Sequence, residues 1–190
     1  MARRVIEPAD RWKRGSAITV RNIIVRSLTP RSTVGRLTCG SLTLKCALGR
    51  SGIRTAKREG DGATPRGRFG FESAYYRRDQ LRRPVTPLAV RETRPDDGWC
   101  DATEDRNYNR FVKHPYPASA ERLWRRDRLY DIVVVVGYNR RPRYRAKGSA
   151  IFMHVAEASY RPTEGCVALA RQDLLKVLAA IGPRTRLIVI

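Results

Sequence analysis

The sequence predicts a mainly β domain with two short helices packed on a sheet system. Three observations lead there. The dipeptide Gly40-Ser41 joins two runs of alternating apolar and polar residues, the signature of a tight hairpin. Short apolar runs at residues 130–136, 148–155 and 186–190 have strand length and are rich in Val and Ile. Extended helical spacing occurs at 171–181, with a shorter helical candidate at 119–126.

A basic segment, residues 1–16, precedes a single domain spanning 17–190. Residues 17–27 read as a strand with an irregularity at Arg21-Asn22, and Pro30-Arg31-Ser32 breaks the chain after it. The hairpin pairs 34–39 with 42–47. Its register sets Cys39 opposite Leu42, Leu37 opposite Leu44 and Gly35 opposite Cys46. One face then carries Gly35, Leu37, Cys39, Leu42, Leu44 and Cys46, and the other Arg36, Thr38, Thr43 and Lys45. Cys39 and Cys46 lie about four residues, roughly 13 Å, apart along the strands. A disulfide needs Cα atoms within about 7 Å, so both read as buried thiols.

Residues 49–67 form a long basic, glycine-rich loop, a length that is uncommon unless functional. Strands follow at 68–76 and 85–91. Residues 95–117, with Trp99, Tyr108, Phe111 and Tyr116, read as an ordered irregular insertion. Ser119 is a candidate N-cap for a helix at 119–126. Strands at 130–136 and 148–155 come next, then a short apolar segment from Cys166 to Leu169. The helix at 171–181 places Leu174, Leu175, Leu178 and Ile181 on one face and stops at Gly182-Pro183. A last strand covers 186–190.

The charge balance is 39 Lys+Arg against 18 Asp+Glu, a net of +21. Such a surface attracts polyanions: nucleic acid, anionic lipid headgroups or a carboxylate-rich polymer. Arg far outnumbers Lys, and a high-GC genome would raise Arg without any binding role. The longest apolar run, Ile132–Gly137, is too short to span a bilayer. No apolar stretch of the signal-peptide kind follows the basic start Met1–Pro8. The four cysteines form no C-x-x-C, and with only two histidines a structural zinc site is not expected.

The chemistry concentrates at His154 and Cys166. His154 ends an apolar strand and shares a face with Ala150 and Phe152; Cys166 opens the next apolar run behind Gly165. An imidazole beside a thiol makes a nucleophile, because the thiolate attacks a carbonyl and the imidazolium protonates the departing amine. Gly165 removes a Cβ beside the sulfur. That leaves the Cys166 N–H, with the Gly165 N–H as a further candidate, to stabilise an oxyanion. The bland alternative is an inert core thiol and a satisfied strand histidine. Cys39 and Cys46 take that reading outright. For Cys100, beside Trp99 and Asp101, a structural role is favoured.

The run His154…Thr163-Glu164-Gly165-Cys166-Val167 resembles the catalytic motif of the L,D-transpeptidase (YkuD-type) family, in which a His precedes Ser/Thr-x-Gly-Cys by a loop. The resemblance continues through Glu59–Phe69, Asp97–Asp101, Tyr108–Arg110, Leu123–Asp127, Leu129–Asp131 and Gly137–Asn139, like a subgroup of small single-domain members. It implies a β-sandwich- or barrel-like fold with the Cys at a groove. It also implies a Cys thioester formed with a peptidoglycan stem peptide and resolved by an amine of a second stem, without metal or organic cofactor.

Cys166, His154 and Gly165 are the expected catalytic residues, with Thr163, Arg125, Tyr138, Asn139 and Trp99 as substrate-binding candidates. Many members carry Arg or Asn two residues after the Cys, where this chain has Ala168. Arg125, Tyr138 and Asn139 are the candidates to replace that side chain. Glu59 and Asp61 are expected to order the long loop. The expected partners are peptidoglycan stem peptides and the anionic cell-wall polymer, and the expected location is periplasm or cell wall. Resolution by water would instead make an L,D-carboxypeptidase or amidase. A basic nucleic-acid-binding protein is the remote alternative, and it leaves the Cys and His unexplained.

Overall fold

The computed structural model describes residues 19–190. The basic segment 1–16 and the first residues of the strand expected at 17–27 lie outside the described residues. In chain order the elements are β1 (Asn22–Ser27), β2 (Val34–Cys39), β3 (Leu42–Ala47), β4 (Ile53–Arg54), β5 (Thr64–Pro65), β6 (Gly67–Tyr76) and β7 (Val90–Glu92). Then come β8 (Asp97–Cys100), β9 (Arg110–Lys113), β10 (Ala120–Arg122), β11 (Ile132–Val136), β12 (Phe152–Val155), β13 (Val167–Leu169), α1 (Arg171–Ala180) and β14 (Arg186–Val189).

The hairpin β2–β3 has the register its sequence predicts, Cys39 opposite Leu42, Leu37 opposite Leu44 and Gly35 opposite Cys46. Both cysteines are buried free thiols, and burial raises their pKa. Leu42, expected on the buried face, is exposed at the turn. β1 begins at Asn22, where the irregularity was expected, and pairs with β2 on one side and with β14 in parallel on the other.

Eight strands follow one another by hydrogen bonding in the order β11-β12-β13-β3-β2-β1-β14-β6, and β6 returns to pair with β11. The sheet therefore closes into a barrel, which leaves no free edge around the ring. β6 makes this possible by its length. Its first residues, Gly67–Gly70, pair with β14, and its later ones, Phe71–Tyr76, pair with β11. The register shifts between Val134 and Val136, an irregularity of the kind that lets a long strand turn a barrel corner.

Two apolar clusters share β11 and β12. Ile132, Val134 and Val136 face a core with Ile23, Leu37, Met153 and Leu187, to which α1 adds Leu174, Val177 and Leu178. The alternate residues Val133 and Val135 face a second core with Trp99, Leu123, Tyr130, Phe152 and Cys166. β11 is thus covered on both faces, which is why its sequence is an unbroken apolar run rather than an alternating one.

The second core is roofed by a three-stranded sheet in the order β10-β8-β9. Two expectations fail here. Residues 95–117 are not irregular, since β8 and β9 pair from Asp97 opposite Lys113 to Cys100 opposite Arg110. Residues 119–126 do not form a helix, since Ala120–Arg122 pair with Cys100–Gly98 as β10. A helix this short is marginal alone. Its apolar residues Leu123 and Trp124 are adjacent rather than a turn apart, while β8 offers an unpaired edge. Among the described residues the chain has one α-helix, not two. No helix of the described residues is long and apolar enough to cross a membrane.

Candidate functional site

A cavity of about 490 Å³ opens where the three-stranded sheet meets the barrel. Cys166, His154, Arg125, Thr163 and Ala168 line it. The sequence separates Cys166 from His154 by a loop, and the sheet brings their strands together. β12 and β13 run in parallel, and His154 sits opposite Ala168. Cys166 is two residues before Ala168 and so shares its face of the strand.

The sulfur is held by backbone. Cys166 Sγ donates to the Ala150 carbonyl at 3.3 Å and accepts from the Phe152 N–H at 3.3 Å. His154 Nδ1 lies 2.9 Å from the Val155 carbonyl. A carbonyl only accepts, so Nδ1 carries the proton and the neutral ring has its lone pair on Nε2. The Tyr130 ring meets the imidazole edge-on, with centroids 5.2 Å apart.

Burial sets the resting charge state. Desolvation lowers the His154 pKa to about 4. It pushes the Cys166 thiol up to about 12, with the nearby Glu121 charge adding to the shift. The Phe152 N–H and the positive charges of Lys57 and Arg125 oppose that rise without cancelling it. At neutral pH the pair rests as thiol and neutral imidazole, not as the thiolate and imidazolium that sequence reasoning expects. The physical reason is that a dry site penalises both charged forms.

Gly165 is required by space. Its φ is +131°, and a Cβ there would lie 2.6 Å from the Ala63 carbonyl oxygen. Its N–H donates to Thr163 Oγ1 at 3.1 Å, so that N–H is already committed. Thr163 Oγ1 in turn donates to the Cys166 carbonyl at 2.7 Å. The Thr163 backbone exchanges hydrogen bonds with Leu48 and Arg50. Thr163 therefore clamps the turn before Cys166 to the start of the long loop. Asp61 orders that loop, as expected, by accepting from Lys57 Nζ, Arg58 N and Ala63 N at 2.7, 2.7 and 2.8 Å.

Three expected substrate-binding residues do not line the cavity with Cys166. Trp99 is 2 % exposed and packs edge-on against Phe152, 5.1 Å between centroids. Tyr138 donates its hydroxyl to the Lys147 carbonyl at 2.5 Å. Asn139 spends its amide on Tyr144 and Gly148. All three meet at Asn109, which is buried. Asn109 Oδ1 accepts from Trp99 Nε1 and from the Ala150 N–H, and its Nδ2 donates to the carbonyls of Tyr138 and Asn139. Ala150 has φ +50°, a conformation rare for a residue with a Cβ. The Asn109 hub holds it there, and its carbonyl takes the Cys166 thiol. These residues position the sulfur from behind.

Arg125 does reach the cavity. Its guanidinium lies over the Tyr130 ring at 5.0 Å and pairs with Asp127 at 2.5 Å. Of the three candidates to replace the missing Arg or Asn at Ala168, it alone lines the cavity. Sequence reasoning missed Lys57, Asp101, Glu121, Tyr130 and Ser149, which line it too. Glu121 was hidden by the helix reading of 119–126. As part of β10 it lies opposite Trp99.

The family model for the L,D-transpeptidase catalytic domain (YkuD) matches residues 29–190. Two solved structures are similar at 12% identity and a TM-score of 0.37: L,D-transpeptidase 1 of Mycobacterium tuberculosis and an L,D-transpeptidase from Mycobacterium smegmatis. Each match covers 88% of this chain, but only 61% and 58% of those structures. No curated protein matches. The match of the family model over most of the chain, ending beyond the Gly-Cys turn and the strand that follows it, shows that the chain belongs to the L,D-transpeptidase catalytic domain (YkuD) family.

Proposed function

We propose that this chain is a cysteine acyltransferase acting on peptidoglycan stem peptides, with Cys166 as nucleophile and His154 as its proton partner. One observation carries the reading: thiol and imidazole line the same cavity from adjacent parallel strands. Because the resting pair is neutral, attack begins with transfer of the thiol proton to His154 Nε2 as the sulfur bonds to the donor carbonyl carbon. The Cys166 N–H is the donor available to the oxyanion, since the Gly165 N–H is taken by Thr163. The imidazolium then protonates the departing amine as the C–N bond breaks, leaving a thioester. A second stem's amine resolves it. The chemistry requires no metal or organic cofactor. The substrate class places the enzyme at the cell envelope, in periplasm or cell wall.

Incubation of the protein with purified muropeptides and mass analysis tests this. Cross-linked dimers are expected, and Cys166→Ala abolishes them while the protein stays folded. Trimmed monomers alone would make the enzyme a hydrolase; turnover by Cys166→Ala would overturn the mechanism. A carbapenem-class β-lactam should add once to the wild-type chain, at Cys166. An adduct on Cys39, Cys46 or Cys100, or none, counts against the assignment.

A further inference from the structure

The chain carries 39 Lys+Arg against 18 Asp+Glu, yet its cavity reverses that balance. Five carboxylates (Glu59, Asp101, Glu121, Glu157 and Glu164) line it, against Lys57, Arg125 and Arg161. Three of the five lie outside the three-stranded sheet, each with a partner of its own: Glu59 accepts from Tyr108, Glu157 pairs with Arg161 at 3.7 Å and Glu164 with Arg50 at 2.9 Å. The lining cations are engaged as well, Lys57 by Asp61 at 2.7 Å and Arg125 by Asp127 at 2.5 Å.

What remains is an acidic wall contributed by the three-stranded sheet. Asp101 follows β8, Glu121 lies in the neighbouring β10, and the Asp101 N–H donates to the Ser119 carbonyl at 3.3 Å. Glu121 Oε1 accepts from the Tyr130 hydroxyl at 2.6 Å, with Arg125 as a looser partner at 3.6 Å. Asp101 Oδ1 is buried and has no hydrogen-bond partner among the described residues. Ser149 lines the same cavity, is 6 % exposed and also has an unpartnered Oγ, beside the Tyr108 hydroxyl. A buried carboxylate oxygen without a donor is costly unless something supplies one. An ammonium offers three donors and no acceptor. A carboxylate ligand would meet repulsion at this wall.

We propose that Asp101, Glu121 and Ser149 form the subsite for a primary ammonium, the acyl acceptor; this rests on the transferase reading given above. The acceptor arrives as R–NH3+ and gives one proton to the Glu121 carboxylate. The free amine bonds to the thioester carbon, and the C–S bond breaks. The second proton leaves nitrogen through His154 Nε2 to the departing sulfur. An amide, the Cys166 thiol and a protonated Glu121 result, so atoms and charge balance.

The test uses the full chain, a purified tetrapeptide muropeptide as donor and Nα-acetyl-lysine amide as acceptor. The readout is the ratio of amide product to hydrolysed donor. Both arise from one acyl-enzyme, so the ratio is independent of how fast that species forms. Glu121→Gln and Asp101→Asn should each lower the ratio about tenfold, the scale of one charge-assisted hydrogen bond. The ratio with hydroxylamine, uncharged near neutrality, should hold. An unchanged ratio in both variants, or an equal loss with hydroxylamine, overturns the subsite. If the wild-type chain forms no acyl-enzyme, the transferase reading falls. Titration of Nα-acetyl-lysine amide into Cys166→Ala then judges the wall alone: binding weakened about tenfold by Glu121→Gln supports an ammonium site, and no binding to Cys166→Ala itself removes it.

Discussion

His154 and Cys166 are tuned by what surrounds them rather than by each other. The ring is fixed by the Val155 carbonyl and the edge of Tyr130, and the thiol by Ala150 and Phe152. A titratable group buried in its neutral form leaves a mark on stability. The ordinary His value near 6.5 falls to about 4 on folding. Below pH 6.5 the unfolded chain takes up a proton that the folded chain refuses, so stability rises with pH between 4 and 6.5. The loss on acidification reaches about 3 kcal/mol at the lower end. Denaturant unfolding of wild type and His154→Gln across this window checks it. The two curves should converge as pH falls, and parallel curves would show that His154 is not held neutral.

At the scale of elements, the three-stranded sheet decides whether the barrel's outer face becomes a site. Its anchor is Trp99, which touches Phe152 and donates to Asn109. Through Asn109 it also sets the backbone of Ala150, against which the thiol rests. Trp99→Ala should cost about 3–5 kcal/mol in denaturant unfolding and lower acylation of Cys166 as well. A loss under about 1 kcal/mol would mean that β8 is not packed as described. The β2–β3 hairpin was legible because its turn and alternation are local: Gly40-Ser41 fixes the register and the register fixes the faces. β10 was not. Residues 119–126 offer a helix cap and good helix formers, but their conformation is set by the edge of β8, about 20 residues upstream.

For the whole molecule, closure of the barrel and the charge surplus act on different things. Closure, by β6 pairing with β11, holds the strand that flanks β12, and the parallel pairing of β12 with β13 brings residues 154 and 166 to one face. Under the proposed function, the surplus of +21 is what would drive encounter with an anionic polymer. Binding of Cys166→Ala to isolated peptidoglycan sacculi should weaken at least tenfold between about 0.05 and 0.3 M salt, as expected of a surface-charge attraction. Sedimentation with sacculi measures it, and salt-independent retention would assign binding to the cavity alone.

The sequence by itself determined the β class, the hairpin register, the Gly-Cys turn and the singling out of His154 and Cys166. These are properties of turn chemistry, side-chain period and motif. Tertiary structure decided the rest: that Trp99, Tyr138 and Asn139 support the sulfur through Asn109 instead of facing the cavity, and that the thiol and imidazole rest uncharged. It also decided that an acidic wall faces them in a basic protein. The reason is common to all three. Desolvation and hydrogen-bond partnership depend on which segments pack together across the fold, and no local pattern of residues encodes that.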